Sequence, residues 1–170
     1  MLSFIKKLFK PKLVNAALAW QQLGNDAGTG YWLYAAPVHL VLQRDTFSLA
    51  APVPLPLEAE EISALTSTLN THFEADNLKF FWHDNQWFLR LAINPNIQTT
   101  PPEKVVNKDI NTFLPAGEGA IKWAAFTNEL QMLLFAHPIN QVREEKSLPV
   151  INSVWCYGGG QVQAINRNDK

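Results

Sequence analysis

The hydrophobic pattern along the chain changes period several times, and each change marks an element. Leu13–Leu23 carries apolar residues at helical spacing, and Gly24–Gly30 then breaks it with glycine, asparagine and aspartate. Tyr31–Ala35, Val38–Gln43 and Thr46–Ala50 read as strands, with Arg44-Asp45 as the turn between the last two. Pro52–Pro56 is an extended connector, because each proline disfavours helix in the residue before it. From Leu57 to Phe73 the period becomes helical. Glu58, Glu60 and Glu61 suit the positive end of the helix dipole, and Ile62, Leu65, Leu69 and Phe73 form one stripe. Leu78–Trp82 and Trp87–Leu91 alternate as the arms of a hairpin around His83–Gln86. Residues 93–115 read as loop, with a helical turn near Glu103–Val106.

The segment Glu118–Ala136 predicts a helix apolar on two sides. Ile121, Ala124, Met132 and Phe135 fall on one side, and Trp123, Phe126, Leu130 and Leu134 on the other. Such a helix is expected to be largely buried, with Asn128 as an amide inside the first apolar side. Pro138 opens a further helix to about Lys146, since proline suits the first helical position. Ile151–Tyr157 reads as a final strand, and Gly158–Gly160 as a turn after it. The elements do not repeat as βαβ units. The expected fold is α+β, a mostly antiparallel sheet packed against two or three long helices. Residues 13–162 form a single domain in this reading, preceded by an amphipathic segment, 1–12, and followed by a disordered polar tail, 163–170.

Composition narrows the functions. The 170 residues are 47% hydrophobic and 17% charged, a globular profile with net charge −1, which offers no general attraction to nucleic acid. Phe80, Phe81, Trp82, Trp87 and Phe88 have only Lys79 and Arg90 interleaved, so core packing outweighs RNA stacking and no nucleic-acid partner is expected. The single cysteine, Cys156, excludes an internal disulfide, fits the reducing cytoplasm, and is expected to be a buried inert thiol. No run reaches the length of a membrane span. Met1–Lys12 interleaves Leu2, Phe4, Ile5, Leu8 and Phe9 with lysines, so it is no signal peptide. A loosely docked terminal helix is a better reading of it than contact with a membrane surface.

Candidate chemistry concentrates between Asn128 and Gly160. His137 and the new helix start offer backbone N–H groups to an anion, and Asn140 and Arg143 share one face. Arg143 is a forked cation suited to phosphate or carboxylate. With Asn152 and backbone N–H groups near Gly158, Gly159 and Gly160, these residues are the candidate ligand-binding set, and Asn128 supports them. A structural alternative stands beside it, in which His137 caps the helix, Arg143 pairs with an acid and the glycines only turn the chain. His39, His72, His83 and His137 show no paired metal spacing, and no nucleophile elbow occurs. No catalytic residue, metal or cofactor is assigned.

The run Asn128–Leu134, then His137-Pro138-Ile139-Asn140, Arg143-Glu144, Pro149, Asn152-Ser153-Val154-Trp155 and Gly158–Gly160, resembles a bacterial family known as RpfE-type regulatory proteins or cofactor-independent phosphoglycerate mutases. Pro37-Val38-His39-Leu40 and Leu69-Asn70-Thr71-His72-Phe73 carry the likeness upstream, so it covers roughly 31–160. Archaeal-type phosphoglycerate mutases have a similar His-Pro-x-Asn-x-x-Arg stretch. The resemblance implies that they also need a phosphorylatable serine and two divalent metals held by aspartates and histidines. This chain is much shorter and carries no such clusters. The expectation is therefore a cytoplasmic module without complete catalysis, binding a small phosphorylated metabolite or a protein partner, a homodimer included. The alternative is a divergent metal-dependent mutase.

Overall fold

Residues 13–162 are described by a computed structural model, and both the 1–12 segment and the 163–170 tail lie outside the described residues. In chain order the elements are α1 (Ala16–Gln22), β1 (Tyr31–Val38), β2 (Leu40–Gln43), β3 (Thr46–Leu49), α2 (Ala59–His72), β4 (Lys79–His83), β5 (Gln86–Leu91), α3 (Ala120–Phe135), α4 (Pro138–Glu145) and β6 (Ser153–Gln161). Strands β4, β5, β1 and β6 form an antiparallel sheet in that order, and β2 pairs with β3 as a separate hairpin. This is the α+β architecture expected from the sequence.

Local sequence accounts for the boundaries. Asn15 caps α1 by accepting from the backbone N–H of Leu18 at 3.0 Å. In α2 the side chain of Glu61 reaches back to accept from the backbone N–H of Glu58 at 3.0 Å. The β4–β5 hairpin turns on Asp84 and Asn85, at φ 50° and 61°, the paired left-handed residues that a two-residue hairpin loop requires. Pro37 is tolerated in β1 because β5 pairs only with residues 31–34, so no ladder bond is lost there.

The sheet is covered on both faces. Leu33, Ala35, Phe80, Trp87, Leu89, Val154 and Cys156 face the helices, where they meet Leu65 and Leu69 of α2, Leu130 and Leu134 of α3 and Ile139 of α4. Alternate residues Trp32, Tyr34 and Phe88 face α1, with Trp20 stacked on Trp32 at 4.8 Å between ring centroids. Two-sided cover explains why β1 is buried at every position after Tyr31. No described helix is long and apolar enough to cross a membrane.

Two expectations require correction. Gly158–Gly160 do not turn the chain but continue β6 to Gln161. The register against β1 slips between Trp32 and Tyr34, and Gly158 sits at φ 64°, which marks a bulge rather than a turn. A side chain on Gly158 would come within 2.6 Å of the Tyr34 ring, and one on Gly159 or Gly160 would collide with the Tyr31 hydroxyl or Asn15. These glycines let rings and a helix cap sit directly on the strand. The second correction concerns α3. Its Trp123, Leu130 and Leu134 side is buried as expected, but Ile121, Met132 and Phe135 are 88%, 75% and 89% exposed. Asn128 lies among them on the exposed side and is not a buried amide.

Candidate functional site

Helix α4 begins at a cap made by a ring. His137 Nδ1 accepts from the backbone N–H of Ile139 at 3.0 Å, so that nitrogen carries no proton. The proton therefore sits on Nε2, which donates to Thr68 Oγ1 of α2 at 2.9 Å. Burial lowers the ring's pKa below the ordinary imidazole value, against the Ala64 carbonyl, which favours the protonated form. The neutral ring thus donates toward Thr68 and has no free lone pair to take a proton from it. His137 and Thr68 do not form a nucleophile–base pair in this arrangement.

One turn into α4, Asn140 is buried. Its amide donates to the carbonyls of Leu134 at 2.9 Å and Ile151 at 2.8 Å, and its oxygen accepts from Ile151 N–H at 2.8 Å. Arg143 is only 3% exposed. Its Nε donates to Pro149 O and its terminal nitrogen to Glu61 Oε2, each at 2.7 Å. Burial acts to raise the Glu61 carboxyl, but the Glu58 N–H, the Arg143 guanidinium and the charge of Lys146 together hold it below the ordinary carboxylate value. Asn152 accepts from Leu40 N–H at 2.7 Å and donates to Leu40 O at 2.9 Å. His39, beside it, donates from Nδ1 to Val150 O at 2.8 Å.

The candidate residues therefore divide. His137 and Arg143 line one cleft between α2 and α4, of about 780 Å³, together with Thr68, Ser67 and Lys146. Asn140 is spent on the loop behind it, and Asn152 on the β1–β2 junction. Gly158–Gly160 lie against Asn15, Tyr31 and Tyr34, at contacts made by α1 and β1. The cleft also carries Glu58, Glu60 and Glu61, so its acids match or exceed its bases, and Arg143 is already neutralised.

Sequence reading missed Asn70. Its side chain accepts from Phe80 N–H at 2.7 Å and donates to Phe80 O at 3.0 Å, tying α2 to edge strand β4. Asn70, Asn140 and Asn152 act alike, each gripping both backbone groups of one residue as a neighbouring strand would. No local pattern marks them, because each grips a backbone segment 10 or more residues away in sequence. Cys156 is buried, and burial pushes its thiol up to about 12, as expected for an inert group. Among the described residues no group of three or more His, Cys, Asp or Glu side chains is placed to hold a metal ion.

No family model matches the chain. No curated protein matches it. Among solved structures, a cofactor-independent phosphoglycerate mutase from Thermoplasma acidophilum DSM 1728 is similar over 81% of this chain, with a TM-score of 0.58 and 14% sequence identity. The chain spans 38% of the length of that protein. The likeness establishes a distant phosphoglycerate-mutase-like fold.

Proposed function

We propose that this chain is a non-catalytic cytoplasmic module, akin to RpfE-type regulatory proteins, that works by binding another protein chain. One observation carries the reading. The polar side chains that would have met a ligand are consumed by internal hydrogen bonds, whereas Ile121, Met132 and Phe135 present apolar surface to solvent. A monomeric soluble domain rarely leaves large side chains in one row without a partner. The α2–α4 cleft supports a phosphorylated metabolite less well, because its buried cation is already paired and acidic groups ring it.

Calorimetric titration with 3-phosphoglycerate, 2-phosphoglycerate and inorganic phosphate at millimolar concentration tests this. The expected result is no heat above dilution. Saturable heat that disappears in a Lys146→Ala variant would replace this reading with metabolite binding. A divergent mutase is the second reading, favoured by the fold shared with the Thermoplasma enzyme. Turnover of 3-phosphoglycerate in a coupled assay with added manganese would establish it.

A further inference from the structure

The exposed side of α3 has an internal symmetry. Its residues Ile121, Ala124, Asn128, Met132 and Phe135 stand at −7, −4, 0, +4 and +7 relative to Asn128. At 100° per residue all of them lie within about 40° of the Asn128 direction. They form one straight row on a helix of 16 residues, and the row reads the same in spacing from either end. The successive steps of 3, 4, 4 and 3 residues depart from the alternating steps of a heptad seam, so the row is a pattern centred on Asn128 and not a continuous coiled-coil repeat.

We infer that this row is the contact by which a second copy of this chain binds, two α3 helices packing antiparallel about a two-fold axis at Asn128. This rests on the proposal of a protein-binding module and names its partner. Antiparallel pairing sets Ile121 against Phe135 of the other copy, and Met132 over the exposed Ala124 and Ala125. Each layer away from the axis then combines a larger with a smaller side chain. Parallel pairing would stack Phe135 on Phe135 and leave a gap between alanines. At the axis the two Asn128 amides each offer a donor and an acceptor, so they satisfy one another. Antiparallel helices also oppose their dipoles favourably.

Charge agrees with a like partner. The row carries no charged side chain. In the antiparallel pair Lys122 lies along the same flank as Glu129 of the other copy, whose carboxylate also meets His72 Nε2 of its own chain at 2.8 Å. Area sets the strength. A face about 24 Å long and one helix wide is small beside the roughly 800 Å² per partner of a standard interface. The dimer is therefore weak and reversible, with Kd on the order of 10–100 μM.

Sedimentation velocity of the full chain from 1 to 500 μM is the test. The expected result is a monomer–dimer equilibrium that Phe135→Glu and Met132→Lys each shift to monomer by at least tenfold in Kd. Their circular dichroism and unfolding midpoint should not change, because both side chains are exposed in the monomer. Cysteine cross-linking fixes the direction: Ile121→Cys mixed with Phe135→Cys should join faster than either alone. A chain that stays monomeric to 500 μM overturns the proposal, as does a dimer indifferent to both substitutions. So does a wild-type monomer that dimerises only with Leu8→Glu, since the row would then be covered by the chain's own 1–12 segment. None of these outcomes bears on phosphoglycerate binding, so the dimer and the module reading fail separately.

Discussion

Replacing Asn140 by aspartate exchanges one NH₂ group for an oxygen and changes the volume very little. In the native structure that NH₂ faces the carbonyl oxygens of Leu134 and Ile151, at 2.9 and 2.8 Å, while the other amide atom accepts from Ile151 N–H. Aspartate keeps the acceptor but directs its second oxygen at two carbonyls. The acid must stay protonated to remain folded, and even then its single proton serves only one of them. At low pH the variant should lose about 1–1.5 kcal/mol, one hydrogen bond. The folded-state pKa is raised above the unfolded value near 3.9, so the added penalty is absent below that value and grows as pH rises toward the folded one. The slope is about 1.4 kcal/mol per pH unit, or roughly 2.7 kcal/mol between pH 5.5 and 7.5. Asn140→Ala instead orphans the carbonyl and the N–H of Ile151, a fully buried residue, while the Leu134 carbonyl keeps the His137 N–H, and should cost about 3 kcal/mol without added pH dependence. Urea unfolding followed by tryptophan fluorescence at pH 5.5, 6.5 and 7.5, read as differences from wild type, measures both. An aspartate variant that tracks wild type across this range, or an alanine variant losing less than 1 kcal/mol, would show that Asn140 does not hold the Ile151 loop.

Two further outcomes follow from buried groups. Glu61→Ala should destabilise by about 3–5 kcal/mol in urea, because the Arg143 side chain, 4% exposed, would lose its counter-charge. Glu61 is held below its ordinary value, so its stabilisation is present above about pH 4.5 and is lost as pH falls through the folded value. The variant's stability should accordingly fall less steeply than wild type on acidification, and equal slopes would count against the ion pair. Cys156, buried with its thiol pushed up to about 12, should resist a thiol-specific chromogenic reagent at pH 8 in the native state. It should label one to one in urea, and rapid native labelling would contradict its burial.

How far the sequence could be read depended on the physics behind each signal. The β4–β5 hairpin was legible because alternation and turn chemistry both act locally, and Asp84-Asn85 can adopt the positive φ angles that such a turn requires. Helix α2 was legible for the same reason, with acids at its start and one stripe toward the sheet. Gly158–Gly160 were misread because glycine marks two different needs. One is a turn, and the other is room for a close neighbour. Only the positions of Tyr31, Tyr34 and Asn15, all distant in sequence, decide for the second. Helix α3 was half legible. Its period located both apolar sides, but no periodicity says whether a side is covered by the same chain or left open.

Several of the polar side chains singled out in the sequence share a physical role. Asn70 holds Phe80, Asn140 holds Ile151, Asn152 holds Leu40, and His39 holds Val150, each through backbone groups. Arg143 holds Pro149 in the same way while it neutralises Glu61. A side chain that grips backbone is indifferent to the neighbouring side chains, so it can persist while they diverge. It specifies how α4, β6 and the β1–β2 junction meet, and it leaves few polar atoms over for a ligand. Side chains of this kind specify architecture, and architecture is what the comparison with the Thermoplasma enzyme shows. That is consistent with a fold shared at 14% identity over 38% of a much longer enzyme. For such a chain, function is better sought where the pattern leaves groups unused, and on α3 those groups are apolar and arranged symmetrically about Asn128.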